Sequence, residues 1–140
     1  MQETIAFARE NGYVETIGGY PLSVPKKECY KGVDYRIQGT AGEIVKDAMI
    51  TTHQRLKKIN RENPILDGRL TLNVHDELIF DFHIGRGETD HMVHLFGAVS
   101  QMADLMEKAG ADYGVTTPVE VSMTTTNWAD AEEIELGAAA

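Results

Sequence analysis

Two carboxylates stand side by side at Asp76 and Glu77, directly after His75. Alternating apolar and polar residues flank them, which predicts two strands joined by a tight turn. A carboxylate at such a turn suits Mg²⁺, which takes oxygen ligands and commonly binds one or two carboxylates plus substrate phosphates. These residue types therefore allow metal-assisted phosphoryl transfer with Asp76 as a metal ligand. The plainer alternative is a polar hairpin turn, because Asp is common in turns.

A second candidate group lies upstream, where Gln38 is followed by three small residues and is expected to open a long helix. Small residues permit the close approach of a neighbouring backbone or ligand. A Gln amide both donates and accepts hydrogen bonds, so it can read the minor-groove acceptors that all base pairs share. Four cations precede this glutamine and could contact phosphates: Lys26, Lys27, Lys31 and Arg36. The alternatives are a solvent-exposed glutamine and ordinary surface cations.

The elements that must position these residues follow from apolar periodicity. We predict an N-terminal helix ended by Gly12, a long helix ended by Asn63-Pro64, and strands over 70–74 and 78–82. A second amphipathic helix should be closed by Gly110, and alternating residues over 119–123 predict a last strand. Trp128 is expected to anchor the C-terminal segment in the core. This order predicts an α+β fold, in which two long helices pack on one face of a small antiparallel sheet that contains the hairpin.

The bulk properties limit the class of protein. A chain of 140 residues is expected to form one domain, and its net charge of −9 argues against an autonomous nucleic-acid binder. A single cysteine, Cys29, excludes an internal disulfide and fits a reducing compartment. No secretion signal is evident, and no apolar run approaches the roughly 20 residues of a membrane helix. We therefore expect no membrane association and a cytoplasmic location.

Three segments, in this order and at this spacing, resemble the C-terminal palm portion of family A (DNA polymerase I-like) DNA polymerases. They are residues 37–44 (IQGTAGEI), 73–80 (NVHDELIF) and 127–131 (NWADA). The connection from Pro25 to Gln38 is shorter than in bacterial members of the family and closest in style to phage-encoded members. The resemblance therefore implies a bacterial or phage-infected host cell. The resemblance implies one palm fragment over 1–140, in which residues 1–12 end a fingers helix, 13–131 form the palm and 132–140 form a tail.

The resemblance also implies chemistry and partners. The expected activity is template-directed DNA synthesis on primer-template DNA with dNTPs, and the expected cofactor is Mg²⁺ at a two-metal site. Asp76 would be a metal ligand, Glu77 an auxiliary acid near the primer terminus, and His75 a neighbour of the primer 3′ end. Gln38 would contact the minor groove of the duplex.

The family takes a second metal-binding aspartate from an earlier palm strand, in a segment like Asp-Tyr-Ser-Gln-Ile-Glu, and this sequence contains none. We therefore expect a split polymerase, in which a partner polypeptide carries the fingers, the thumb and the second catalytic aspartate. The alternative is a non-catalytic, palm-derived module that docks on another protein or self-associates through exposed apolar surface. The two hypotheses differ in what they expect of Asp76→Ala, which abolishes synthesis only under the first.

Overall fold

The computed structural model describes residues 1–84 and 89–136. The chain forms two compact units, Met1–Asp47 and Ala48–Ala140, and helix α2 (Gly32–Glu62) contributes residues to both. The strands form three separate two-stranded antiparallel sheets. Helices and small antiparallel sheets confirm the predicted α+β class. Within the described residues, no helix is both long and apolar enough to cross a membrane.

The first unit begins with helix α1 (Gln2–Asn11), followed by the strand pair β1 (Tyr13–Glu15) and β2 (Pro21–Ser23). Gly12 ends α1 with a left-handed backbone (φ 77°), and its N–H donates to the Ala8 carbonyl, as predicted for a C-cap. A 3₁₀ helix over Lys26–Lys31 then leads into α2. The core of this unit consists of four buried residues: Ala8, Val14, Val24 and Cys29.

Helix α2 begins earlier than predicted, so the expectation that Gln38 opens it is wrong. Gly32 already has helical dihedral angles (φ −56°, ψ −31°), and the chain continues from the 3₁₀ helix without an extended break. A Cβ atom at Gly32 would lie 3.1 Å from the Val14 side chain, which explains a glycine at this close approach to β1. The other end of α2 falls at Glu62, directly before Asn63-Pro64, as predicted.

The second unit contains the hairpin of β3 (Leu66–Val74) and β4 (Glu77–Ile84), and helix α3 (Thr89–Asp112). Its core cluster draws residues from α2, β3 and α3, with two aromatic side chains of β4 packed against it: Leu56, Ile59, Leu66, Leu95, Ala98, Met102, Phe80 and Phe82. The cluster residues of β3 and β4 lie on one face of the hairpin, because Leu66, Phe80 and Phe82 share a side of the pleat. Two helices therefore pack on one face of the hairpin, as predicted.

Strict alternation over 70–74 predicts that Leu70, Leu72 and Val74 share one buried face of the strand, and for Leu72 this is wrong. The register shifts between Leu70, which pairs with Phe80, and Leu72, which pairs with Ile79. Such a bulge moves the following residues to the opposite face of the sheet. Leu72 is consequently 50% exposed, although strict alternation placed it beside Leu70.

Helix α3 ends at Asp112 rather than at Gly110. Gly110 is buried inside the last turn, where a Cβ atom would collide with the side chain of Thr117 as the chain returns. The turn itself uses Gly114, whose φ is 75°. The glycine that the sequence suggested as a cap thus serves close packing instead.

The C-terminal region also differs from the prediction. Of the expected last strand, Ser122–Met123 forms a strand (β5), and its partner is Glu132–Glu133 (β6), which was expected to belong to a tail. Residues 137–140 of that tail lie outside the described part. The expectation that Trp128 is buried in the core is wrong, because its side chain is 53% exposed in a short 3₁₀ helix, Trp128–Asp130.

Candidate active site

The tip of the β3–β4 hairpin brings together the three residues predicted to be catalytic. Val74 pairs with Glu77, so His75 and Asp76 form a two-residue turn. The φ angle of His75 is 55°, and among the described residues it is the one non-glycine residue with a positive φ. Such a backbone is uncommon for residues with a Cβ atom, although His adopts it more often than most. Glycine would fit this position more easily.

The side chain of Asn73 holds the turn closed. Its Nδ2 donates to the His75 carbonyl at 3.1 Å and to the Glu77 carbonyl at 3.2 Å. Side-chain amides of Asn commonly satisfy backbone groups in this way at turns. From the sequence, Asn73 is predicted only to be a polar residue of the strand; its place directly before a tight turn was the signal that could have revealed this role.

The three tip side chains, those of His75, Asp76 and Glu77, are exposed. No side chain in the described part of the chain is hydrogen-bonded to, or ion-paired with, the Asp76 carboxylate. Glu77 differs, because its Oε1 accepts a hydrogen bond from Trp128 Nε1 at 3.3 Å. The turn therefore presents one carboxylate with both oxygens open and a second one held by an indole.

The hairpin is fixed to helix α2 by the side chain of Asn60. Its Nδ2 donates to the Gly68 carbonyl at 2.8 Å, and its Oδ1 accepts from the Gly68 N–H at 3.0 Å. β3 also lies close to Leu56 at Gly68, since a Cβ atom there would lie 2.7 Å from Leu56 Cδ1. Both contacts lie at the opposite end of β3 from the turn, so the tip projects from an anchored base.

The described residues contain no group of three His, Cys, Asp or Glu side chains that could hold a metal ion by themselves. The Asp76 carboxylate nevertheless has the hard oxygen donors that Mg²⁺ prefers. Because Mg²⁺ keeps several waters and often uses only one or two protein carboxylates, Asp76 fits as one ligand of a site completed by other groups.

In the first unit, Gln38 is exposed on α2 together with Ile37, whereas Thr40 is buried. A Cβ atom at Gly39 would lie 2.8 Å from Thr16 Cγ2, so β1 and α2 are in close contact at this glycine. The buried Thr40 hydroxyl donates to the Arg36 carbonyl at 2.8 Å and accepts from the Ile17 N–H at 3.0 Å. The small residues after Gln38 thus allow a neighbouring backbone to approach, as predicted.

The predicted phosphate-binding cations fall into two kinds. Lys26, Lys27 and Arg36 are exposed, whereas Lys31 is half-buried and pairs with Glu28 at 3.3 Å. The hydrogen bond that Lys31 Nζ donates to Glu28, and the negative charge of Glu28, raise the pKa of Lys31 above its ordinary value, so this ammonium is charged at neutral pH. Lys31 is therefore partly neutralised by a neighbour, and the other three cations are the better candidates for phosphate contacts.

Comparison with known proteins places the chain in a family. The model of DNA polymerase family A matches residues 1–130. DNA polymerase I of Mycobacterium leprae is 29% identical over 134 residues, which cover 88% of this chain and 13% of that protein. DNA polymerase I of Pseudomonas aeruginosa is 34% identical over 91 residues, which cover 58% of this chain and 9% of that protein.

A thermostable DNA polymerase I of Thermus filiformis is 28% identical over 144 aligned residues, which cover 95% of this chain and 15% of that protein. The chain thus spans between 9% and 15% of the length of these three relatives. The matched family region, residues 1–130, includes the hairpin, helix α2 with Gln38, and Trp128. On this ground, the chain belongs to DNA polymerase family A.

Proposed function

We propose that this chain is the C-terminal palm part of a template-directed DNA polymerase and that Asp76 is one of its metal ligands. The observation that carries the proposal is the open carboxylate of Asp76 at the tip of an anchored hairpin, in a chain of this family. The named relatives are DNA polymerases I. Two of the alignments cover most of this chain and include the hairpin. In this proposal residues 1–12 end a fingers helix and 13–131 form the palm.

The tip residues would share the work at the primer end. Asp76 would hold Mg²⁺ together with substrate phosphates, and Glu77 would act as an auxiliary acid beside the primer terminus. The imidazole of His75 would orient the 3′-terminal nucleotide. When bound, Mg²⁺ supplies neutralisation of the charge that develops on the attacking and leaving oxygens.

The first unit would supply contacts to the duplex. Gln38 is exposed and can donate to the minor-groove acceptors that every base pair presents, which gives contact without sequence preference. Lys26, Lys27 and Arg36 would pair with backbone phosphates.

We further propose that another segment or a partner polypeptide completes the site with the fingers, the thumb and a second catalytic aspartate. Two-metal transfer needs more carboxylate ligands than Asp76 alone provides. The described residues offer no three-ligand group around it, and the sequence lacks a segment like Asp-Tyr-Ser-Gln-Ile-Glu.

Primer extension tests this proposal. The tagged chain, recovered from its source cells with the polypeptides that accompany it, should extend a primer with Mg²⁺ and four dNTPs, whereas the chain purified alone should not. Asp76→Ala should abolish extension by the recovered complex, and Asp81→Ala should retain it, because Asp81 is an exposed carboxylate within β4, away from the turn. Equal extension by wild type and Asp76→Ala, or none by the wild-type complex, would refute the proposal.

A second candidate function, a non-catalytic interaction module, is favoured by apolar exposure in the first unit. Five large apolar or aromatic side chains there are each more than half exposed: Met1, Ile17, Tyr20, Tyr30 and Ile37. Exposed apolar surface of this kind marks protein contacts. This candidate predicts that Asp76→Ala leaves all complexes and activities unchanged, and that sedimentation detects self-association or a stable complex with another protein.

A further inference from the structure

A short loop near the C-terminus, residues 124–131, is closed at its base by paired strands. Ser122–Met123 pairs with Glu132–Glu133, and the Ile134 N–H donates to the Val121 carbonyl at 2.8 Å. The two ends of the loop are therefore held side by side, which limits the positions that its tip can reach.

Hydrogen bonds within the loop fix its tip. Asn127 Oδ1 accepts from the Ala129 N–H at 3.0 Å and so caps the 3₁₀ helix Trp128–Asp130. The Asp130 carboxylate accepts from Thr126 Oγ1 at 2.9 Å and also from Asn127 Nδ2. The backbone of Trp128 is thus held by its own neighbours rather than by burial of its ring.

The ring of Trp128 is more than half exposed, and its one polar atom is directed at the hairpin tip. Nε1 donates to Glu77 Oε1 at 3.3 Å, between residues 51 positions apart in sequence. An indole can only donate, and a carboxylate can only accept when ionised, so the two groups are matched. Hydrogen bonds to a charged group are also stronger than those between neutral groups.

Such a contact matters most for a flexible side chain. A free Glu side chain samples several rotamers, and Glu77 directly follows the like-charged Asp76. A donor that engages one Glu77 oxygen restricts this sampling and leaves the other oxygen open. The loop therefore restrains the Glu77 side chain, just as the Asn73 amide restrains the backbone of the turn.

From this geometry we propose that Trp128 is a positioning residue, which orients the Glu77 carboxylate at the primer end through its indole N–H. The proposal rests on the proposed function, since it assigns Trp128 a task at that same site. It explains why the ring is exposed although aromatic rings are usually buried to a large extent.

The contact is tested on the chain alone by nuclear magnetic resonance. Trp128 is the single tryptophan, so its indole N–H gives one assignable signal. Glu77→Ala should move this signal and speed its exchange with solvent, while Asp76→Ala, which removes the adjacent carboxylate, should leave it in place. An indole signal that is unchanged in Glu77→Ala would show that the hydrogen bond is absent and would overturn the proposal.

The positioning role is tested by a double-mutant cycle in primer extension by the recovered complex. Trp128→Phe keeps an aromatic ring and removes the donor; we expect kcat to fall roughly tenfold with a smaller change in the KM for dNTP. In a Glu77→Ala background the same substitution should cause no further loss, because it acts through Glu77. Unfolding midpoints of the variants show whether each has kept its fold.

The outcomes separate the two proposals. Losses that multiply in the double variant, or an unchanged rate in Trp128→Phe, overturn the positioning role while Asp76 dependence remains. Extension that survives Asp76→Ala instead refutes the proposed function and, with it, the positioning role at that site. The resonance experiment then still decides whether the indole binds Glu77.

Discussion

His75 combines an unfavourable backbone with an exposed side chain. Left-handed φ angles in residues other than glycine cost on the order of 1–3 kcal/mol and persist where the surrounding structure enforces them. Here the two hydrogen bonds from Asn73 and the pairing of Val74 with Glu77 enforce the turn. A tight hairpin would accept Asn or Gly more easily at this position. The presence of His75 therefore favours the interpretation that its imidazole has a functional role.

We predict that His75→Gly raises the free energy of unfolding by up to about 1 kcal/mol, because glycine adopts a positive φ without steric cost. His75→Ala is the matched control, since it removes the imidazole and keeps the strained backbone. Urea unfolding of the three proteins measures the difference. If His75→Gly proves no more stable than His75→Ala, the turn stores no strain.

At the residue scale, the sequence predicted the turn better than its surroundings. Alternation on both sides located His75 and Asp76 at the tip, because local patterns determine hairpins. Trp128 is exposed and its indole contacts Glu77, 51 residues away, and no local pattern encodes such a contact. Its burial was the reasonable expectation for a lone aromatic residue, and it was wrong.

At the scale of elements, close contact between α2 and the β1–β2 pair depends on one glycine. A Cβ atom at Gly39 would meet Thr16 at 2.8 Å and would also collide with Leu22, whereas a Cβ atom at Gly42 would meet nothing within 4 Å. Both glycines lie inside α2, three residues apart. A comparison of Gly39 with Gly42 therefore distinguishes the effect of close packing from the effect of helix propensity.

We predict opposite effects of the two alanine substitutions in α2. Gly39→Ala should lower the free energy of unfolding by about 1–3 kcal/mol through overpacking. Gly42→Ala should raise it by roughly 0.5–1 kcal/mol, since alanine favours a helix more than glycine does. Denaturation midpoints, with circular dichroism as the probe, give both values. Equal effects of the two changes would show that β1 and β2 do not press on Gly39.

The ends of helices were predictable where the local backbone preferences of glycine and proline determine them. Gly12 and Asn63-Pro64 ended their helices as expected, because both act through the local backbone. The start of α2 at Gly32 was missed, since glycine disfavours a helix and is required here by contact with Val14. The bulge after Leu70 was missed for a similar reason, because alternation carries no sign of a shifted register.

The whole molecule is acidic, with 22 Asp and Glu residues against 13 Lys and Arg residues. Affinity for DNA comes largely from cations that neutralise phosphates and release counterions. The exposed cations that we assign to phosphate contact are few, namely Lys26, Lys27 and Arg36. Under the proposed function, most of the binding affinity for DNA must therefore come from other parts of the polymerase.

We predict that the chain alone binds primer-template DNA no more tightly than about 10⁻⁴ M at physiological salt, the weak end of non-specific binding. At lower salt, where binding is measurable by fluorescence anisotropy, Lys26→Ala with Lys27→Ala should reduce the slope of log K against log salt by about 2. Lys57→Ala with Lys58→Ala removes the same charge from the last turns of α2 and should leave the slope unchanged. Micromolar binding at physiological salt would contradict this account.

The central claim is that the Asp76 carboxylate binds the metal ion used in DNA synthesis, and exchange of the ligand atom tests it most directly. Primer extension by the recovered complex is measured for wild type, Asp76→Ala and Asp76→Cys, first with Mg²⁺ and then with Mn²⁺ or Cd²⁺, which accept a thiolate more readily. We predict that both variants lose more than about a hundredfold in rate with Mg²⁺, and that only Asp76→Cys recovers with the softer ions. Extension by Asp76→Ala at the wild-type rate with Mg²⁺ would contradict the claim.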